Sequence, residues 1–263
     1  MLQRFAVFVF AVLISTAASG QGVHRVLVPA AGSIPGNNGT YFRSDISITN
    51  LRDAPQVVFM HWLPQGRAGA EFSPVRVTIP AGGTLSSEDF VTEILHESGL
   101  GAIDVVSVTD FAQEDGGGRL HVTSRIWSPQ PGSGGTVSQS LPSLEYLRIF
   151  SERVAITGLR HGPRFRTNVG IVNLDNGPQT FRVHVSGKDV LPVVPVFFDV
   201  PVAPRSMQQV SVPWPDDSQI RLDVEALPLP GGGRLTLWTA YAANVDNVTG
   251  DSWSFSGVNT TVR

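Results

Sequence analysis

The 263-residue sequence contains no cysteine. Disulfides are therefore excluded, and so are zinc–thiolate sites, thiol catalysis and a lipid anchor attached to cysteine. Whatever fold the chain adopts must be stabilised by burying apolar side chains. Burial can supply that stability in domains of about 100 residues or more.

An excess of positive charge is lacking as well, because 19 Lys and Arg residues face 22 Asp and Glu residues, for a formal net charge of −3. This balance argues against nucleic acid or an anionic membrane surface as a partner. Catalytic motifs are also missing: the sequence has no G-x-S-x-G, no H-E-x-x-H and no phosphate-binding loop. We expect a protein that is not an enzyme. A hydrolase is the alternative, because catalytic triads converge from distant positions.

Long apolar runs are confined to the start of the chain. Residues 5–14 form an unbroken apolar run that follows Arg4 and precedes small residues ending at Gly20. This three-part layout is typical of a secretory signal peptide, with cleavage between Gly20 and Gln21. The run is shorter than the roughly 20 residues that span a bilayer. We therefore expect residues 1–20 to be an export signal and the mature chain to be soluble, and to be secreted, periplasmic or at the cell surface.

A strand-like segment occurs twice. The segment FRSDISITNL at 42–51 recurs as FRTNVGIVNL at 165–174, and GGGRL at 116–120 recurs at 231–235. The offset between matching segments drifts only in stretches that resemble loops, where insertions are tolerated. The sequence thus predicts a duplicated domain, with copies at 21–148 and 149–263.

Each copy has the pattern of an all-β domain. In the repeated segment apolar and polar residues alternate with period two, which predicts a half-buried β-strand. Seven or eight such segments per copy, separated by Gly, Pro and Asn, predict two tandem antiparallel immunoglobulin-like β-sandwiches. One short helix is predicted within 87–99 of the first copy, with Ser87 or Asp89 as its N-cap and Gly99 after its last turn.

The segments ISITNLRDAPQVVFMHWL (46–63) and VGIVNLDNGPQTFRVHV (169–185) resemble the immunoglobulin-like domains of bacterial surface and secreted proteins. The resemblance implies a stalk, adhesion or ligand-binding module. HRVLVP (24–29) and the segment 50–63 also look somewhat like the first domain of periplasmic pilus chaperones. That likeness implies a basic pair that grips a subunit's carboxylate, and the single lysine, Lys188, lies in the second copy.

Four outward-facing residues of the repeated strand are candidate ligand-binding residues: Arg43, Asp45, Arg166 and Asn168. Their repetition suggests a duplicated contact patch. The alternative is a solvated strand face, where an ion pair contributes about 0–1 kcal/mol.

Trp214 and Trp253 lie next to predicted turns, so they are the tryptophans that we expect to be exposed and able to stack on a sugar. Trp127 and Trp238 lie in long predicted strands, and we expect them to be packed in the core.

The segment 244–253 places four oxygen-bearing side chains in one loop: Asn244, Asp246, Thr249 and Asp251. Such a loop can hold Ca²⁺, which takes six to eight oxygen ligands. The alternative is a hairpin turn at Gly250, because Asp, Asn and Gly favour such turns. We expect no cofactor, with Ca²⁺ at this loop as the alternative.

His61 and His184 match between the copies, and we expect structural roles for them because a metal site needs three or four converging ligands. The proline-rich stretch 190–204 is predicted to be an edge strand, since proline cannot donate to a β-ladder.

Together these patterns predict a secreted, non-catalytic structural, adhesion or binding module whose partner is a protein or a glycan at the cell surface. The alternatives are a carbohydrate-binding accessory protein and a pilus-type chaperone.

Overall fold

Antiparallel β-strands provide almost all the regular structure of the protein, as seen in a computed structural model. The predicted signal peptide, the predicted domain boundary at 148 and Lys188 lie outside the described residues. The structure describes residues 21–36, 39–110, 119–130, 132–145, 152–187, 196–215, 217–229, 231–232 and 237–260.

Nine strands and one short helix, α1 (Phe90–Glu93), form the first half of the described chain. A single 3₁₀ turn lies at Gly69–Glu71. The strands are β1 (Gln21–Pro35), β2 (Tyr41–Asn50), β3 (Gln56–Pro64), β4 (Val75–Ile79), β5 (Thr84–Ser87), β6 (Gly99–Asp110), β7 (Leu120–Pro129), β8 (Thr136–Ser140) and β9 (Leu144–Glu145).

Nine further strands form the second half, and its described residues contain no helix. The strands are β10 (Arg153–His161), β11 (Phe165–Asn173), β12 (Gln179–Gly187), β13 (Val196–Val202), β14 (Ser206–Ser211), β15 (Ser218–Ala226), β16 (Trp238–Asp246), β17 (Ser252–Ser256) and β18 (Val258–Asn259).

The two halves have the same strand order. The first half has the orders β4-β3-β6-β1-β9 and β5-β2-β7-β8, and the second has β13-β12-β15-β10-β18 and β14-β11-β16-β17. The first strand of each half is irregular at the same place, between Val28 and Ala31 in β1 and between Ile156 and Leu159 in β10. One difference is that the end of β1 also pairs with β2 and joins the two sheets of the first half. The predicted all-β antiparallel fold is confirmed.

Each half buries an apolar core between its two sheets, because most inward side chains of the long strands are apolar. Inward residues of the first core include Ile46, Ile48, Val58, Met60, Trp62 and Ile103. Inward residues of the second core include Val169, Ile171, Phe181, Val183, Leu222 and Trp238.

The predicted short helix is present and covers Phe90–Glu93, so it ends well before Gly99, which was predicted to follow its last turn. Asp89 stands at the N-cap position without a side-chain capping bond. Beyond Glu93 the regular bonding ends, since Leu95 N–H donates to Phe90 O. Phe90 and Val91 are fully buried in the first core, so packing holds this single turn in place.

The asparagine that ends each repeated strand is fully buried and fixes the following turn. The amide of Asn50 donates to Ala54 O (2.8 Å) and Ile79 O (3.0 Å). The amide of Asn173 donates in the same way to Gly177 O (2.8 Å) and Ala203 O (3.0 Å). The most obvious repeated residue of the sequence therefore has a structural role, because it satisfies buried carbonyl groups that would otherwise lack partners.

Candidate functional site

The two halves pack face to face through a third apolar cluster. Its members lie on the outer faces of two sheets, so in an isolated half they would face water. The first half contributes Leu27, Ala30, Leu63 and Ala102 from β1, β3 and β6. The second half contributes Val172, Leu174, Met207 and Tyr241. The halves are thus joined by a buried interface as well as by their linker.

A buried carboxylate lies at the edge of this interface. Asp104 Oδ2 accepts hydrogen bonds from Arg25 of its own half (2.6 Å) and from Arg205 of the second half (2.8 Å). The Asp104 side chain is completely buried. Ser206 Oγ crosses the interface as well and donates to Pro64 O at 2.7 Å. Polar bonds therefore fix how one half sits on the other.

Strands β8 and β17, one from each half, lie side by side at the edges of their sheets. Ser252 Oγ donates to Ser138 O (3.2 Å) and Ser254 Oγ donates to Ser140 O (2.6 Å). Between these bonds, Gln139 Nε2 donates to Trp253 O at 3.0 Å. The partners are 114 residues apart in every case, so the strands run in the same direction. Side chains, rather than a backbone ladder, thus join these two edges.

A cleft of about 610 Å³ continues the interface between the halves toward solvent. Leu100 and Ile126 belong to both, since they pack against the third cluster and also line the cleft. From the first half the cleft is lined by Ile34, Phe42, Leu100, Ile126, Val137 and Gln139. From the second half it is lined by Arg166, Asn168, Gln209, Ala243 and Val245.

A buried tyrosine of the interface cluster crosses β11 and bonds to Gln209, which lines the cleft. Gly170 pairs with Tyr241 on one side and with Gln209 on the other. Because Gly170 has no Cβ, the ring of Tyr241 passes over it, and its hydroxyl donates to Gln209 Oε1 at 2.8 Å. This bond leaves the Gln209 NH₂ group as a donor at the cleft.

Two of the predicted binding residues, Arg166 and Asn168, lie together in the cleft on β11. Arg166 is exposed, and its Nη1 donates to Asn247 Oδ1 at 2.6 Å. Asn168 is half-buried next to the small residue Ala243, and its amide makes no hydrogen bond to another described residue. An amide and a guanidinium with unused donors thus face an apolar wall.

Their repeat partners, Arg43 and Asp45, lie on the outer face of the first half, away from the cleft. Arg43 lies 3.5 Å from Asp89, and Asp45 is bonded to Arg125 at 3.1 Å. The two pairs therefore lie on different surfaces, because only the pair on β11 lines the cleft. Trp127 belongs to this outer face, 5.8 Å from Arg43. Since it is half-buried there, the prediction that it packs in the core was wrong.

Trp214, predicted to be exposed for sugar stacking, is buried. Only 8 % of it is accessible, it packs in the second core, and its Nε1 donates to Ser218 Oγ at 3.0 Å. Trp253 is half-buried and meets the ring of Phe165 edge-on at 5.8 Å. Trp238 is fully buried, as predicted.

The four side chains of the predicted calcium loop do not converge. Asn244 is fully buried and bonds to the backbone of Arg160, while Asp246 accepts hydrogen bonds from Val248 N–H (2.8 Å) and Arg164 Nε (3.1 Å). Thr249 Oγ1 accepts from Asp251 N–H at 3.2 Å. The segment forms the hairpin turn between β16 and β17, and no described cluster of three or more His, Cys, Asp or Glu residues has the arrangement of a metal site.

We expect the melting temperature of the protein to depend on the ionisation of Asp246 in this hairpin and not on a bound metal ion. The hydrogen bond from Val248 N–H, aided by Arg164, lowers the pKa of Asp246. A lowered pKa in the folded state stabilises the protein above the unfolded value near 3.9, and the effect is lost as pH falls. Asp246→Ala should therefore lower the melting temperature at pH 7, with a smaller difference at pH 3. Chelator or added Ca²⁺ should leave the wild-type melting temperature unchanged, and a rise with Ca²⁺ would contradict this assignment.

The matched histidines occupy the same register position on β3 and β12. His61 lies opposite Asp104, and burial lowers its pKa while the Asp104 carboxylate opposes the shift. His184 lies opposite Asp223, and its Nε2 is 3.1 Å from Glu225 Oε1. Both histidines therefore lie opposite an aspartate on the neighbouring strand, and His184 also contacts a glutamate.

Within the predicted edge strand 190–204, residues 190–195 lie outside the described residues, and β13 forms the rest of the strand; among the described strands it pairs with β12 alone. An open groove of about 740 Å³ lies between β13 and β14. Its lining is mostly apolar and includes Val200, Val202, Val210 and Pro213. The cleft between the halves combines apolar walls with several polar side chains and is the better candidate site.

No protein-family model, curated protein or solved structure matches the chain. Within the described residues, no helix has the length and apolarity needed to cross a membrane. The geometry of the cleft is therefore the basis for assigning a function.

Proposed function

We propose that the protein is an exported, non-catalytic binding module that holds its ligand in the cleft between its halves. The observation that carries this proposal is the convergence of Arg166, Asn168 and Gln209 on an apolar wall provided by the other half. Ligand sites favour domain interfaces and combine apolar walls with a few directional polar groups. Export is supported by the signal-peptide layout of residues 1–20.

The proposal includes a tandem origin for the two halves, as immunoglobulin-like sandwiches derived from one ancestral unit. Their equal strand orders, their matching irregularities in β1 and β10, and the equal roles of Asn50 and Asn173 support this origin. Duplication also explains how a site arose at the junction, since the outer face of one copy came to lie against the other.

A binding role is favoured over catalysis by the charged groups of the cleft. The charged side chains among the described lining residues are Arg166 and Asp246. The Asp246 carboxylate is bonded to backbone N–H groups and to Arg164, and its lowered pKa keeps it ionised. This lining therefore offers no carboxylate or imidazole that is free to act as a general base.

Filling the cleft tests the proposal. We expect Asn168→Trp to weaken binding of the best ligand at least tenfold, because the indole ring would occupy the space beside Ala243. Ligands would be found on glycan and peptide arrays, and affinities would then be measured by calorimetry. The matched control is Asp45→Trp, the same repeat position on the outer face of the first half, which should bind like the wild type.

The opposite pattern, loss of binding in Asp45→Trp alone, would move the site to the outer face of the first half. Absence of any ligand on both arrays would overturn the binding role and favour a structural one.

A further inference from the structure

The cleft has an unbalanced positive charge. Arg166 forms no ion pair with a described carboxylate, and its recorded partner is the neutral amide of Asn247. The other charged lining residue, Asp246, is paired with Arg164 at 3.1 Å. A ligand with one anionic group would therefore balance the charge of Arg166.

Carboxamides supply most of the remaining polar groups. Asn168 has a free amide, Gln209 keeps its NH₂ donor and Gln139 keeps its carbonyl acceptor. Gln130 also lines the cleft. Carboxamides both donate and accept, so they match neighbouring hydroxyl groups of a polyol. An alkyl chain would displace their water and leave them without partners, which disfavours a fatty acid.

A peptide strand is disfavoured because the sheet edges beside the cleft are already in use. Extended peptides are bound mainly through the free backbone of a sheet edge. Here Ser138 O, Ser140 O and Trp253 O accept bonds from the facing edge strand. The lining therefore presents side chains to a ligand, as recognition of a saccharide requires.

We infer that the ligand is an acidic saccharide, with its carboxylate on Arg166, hydroxyls on the carboxamides and its C–H face on Phe42 and Ile126. The inference rests on the proposed binding function and names its ligand class. It places a glycan contact in the cleft rather than at Trp214, whose ring is buried.

A glycan array that holds neutral, sulfated, uronate-containing and sialylated glycans tests the ligand class. We expect uronate-containing or sialylated glycans to give the strongest signals. Preference for neutral or sulfated glycans, or for array peptides, would overturn the inference. If such a ligand were still lost in Asn168→Trp, the proposed function would stand while this inference failed.

Arg166→Gln tests the role of the charge. Trigalacturonate or sialyllactose, whichever corresponds to the array result, and its methyl ester would be titrated by calorimetry. We expect Arg166→Gln to bind the acid at least tenfold more weakly and the ester within about twofold of the wild type, since tenfold corresponds to about 1.4 kcal/mol.

Arg43→Gln, at the matching repeat position outside the cleft, is the control and should bind both forms like the wild type. Equal weakening of acid and ester in Arg166→Gln would overturn the carboxylate assignment, and so would equal losses in the two arginine variants. Melting curves of the two variants would test whether the fold stays intact, because Arg166 is exposed and Arg43 is half-buried beside Asp89.

Discussion

Asp104→Asn should lower the free energy of unfolding by about 2–4 kcal/mol. This is less than the largest losses seen when a buried ion pair is broken, because both arginines are partly exposed to solvent. Asp104 is fully buried, and its Oδ2 bonds Arg25 and Arg205. The substituted carboxamide would keep the shape of the side chain but remove the negative charge that the two guanidinium groups share. Urea unfolding followed by tryptophan fluorescence measures the loss. Because Arg205 belongs to the second half, we also expect the halves to begin unfolding separately, as two transitions.

Asp223→Asn provides the matched control. Asp223 lies opposite His184 just as Asp104 lies opposite His61, and it too contacts arginines, Arg221 at 2.8 Å. The Arg221 side chain is half exposed, so the pair is screened by water and should contribute about 0–1 kcal/mol. Equal losses in the two variants would mean that burial between the halves is not the source of the Asp104 effect.

Most of the long strands could be predicted from sequence because they bury one face and expose the other. The repeated segment alternates between apolar and polar residues, and β2 and β11 begin and end within a residue of its bounds. The short strands β5, β9 and β18, which have four, two and two residues, were not predicted as separate strands. Segments this short contain too few alternations to establish a period.

The packing of one half on the other was not predicted, although outward positions carried a signal for it. Leu63 and Ala102 pair across β3 and β6, whereas the equivalent pair in the second half is Ser186 and Arg221. Apolar residues thus replace polar ones at the face that is covered. Comparison of the two copies at outward positions, rather than at their shared inward ones, would have identified this face.

The candidate site could be predicted only in part. Repetition indicated Arg166 and Asn168 and, to the same degree, Arg43 and Asp45. The sequence could not separate the two pairs, because their surroundings differ only once the halves pack. The outward position of Trp127 could have been predicted from the sequence. Side chains alternate along a strand, so Trp127 points to the same face as Arg125. The cleft itself combines residues more than 100 positions apart and leaves no local pattern in the sequence.

Gly170→Ala should be among the most damaging single substitutions in the second half. A Cβ there would lie 2.1 Å from Tyr241 Cζ, and the ring is 1 % exposed, so it has no space to move. Overpacking costs about 1–3 kcal/mol, and loss of the Tyr241–Gln209 bond adds about 1 kcal/mol. We expect a total loss of about 2–4 kcal/mol in urea unfolding.

The titration of Tyr241 gives an independent readout. Burial raises the pKa of Tyr241 above its usual value near 10. This raised value stabilises the folded state below pH 10, and the contribution is lost as pH rises further. In Gly170→Ala the displaced ring should ionise closer to pH 10, and ultraviolet difference spectra of the folded protein would record the change.

A double-mutant cycle separates the clash from a general intolerance of β11. Tyr241→Ala removes the ring that Cβ would meet, so Gly170→Ala added to it should cost almost nothing further. Ser47→Ala, which faces Thr123 at the equivalent place in the first half, should change stability by less than about 0.5 kcal/mol. Additive losses in the cycle would contradict this account. A large coupling would show that the glycine is needed because the tyrosine crosses it to reach Gln209.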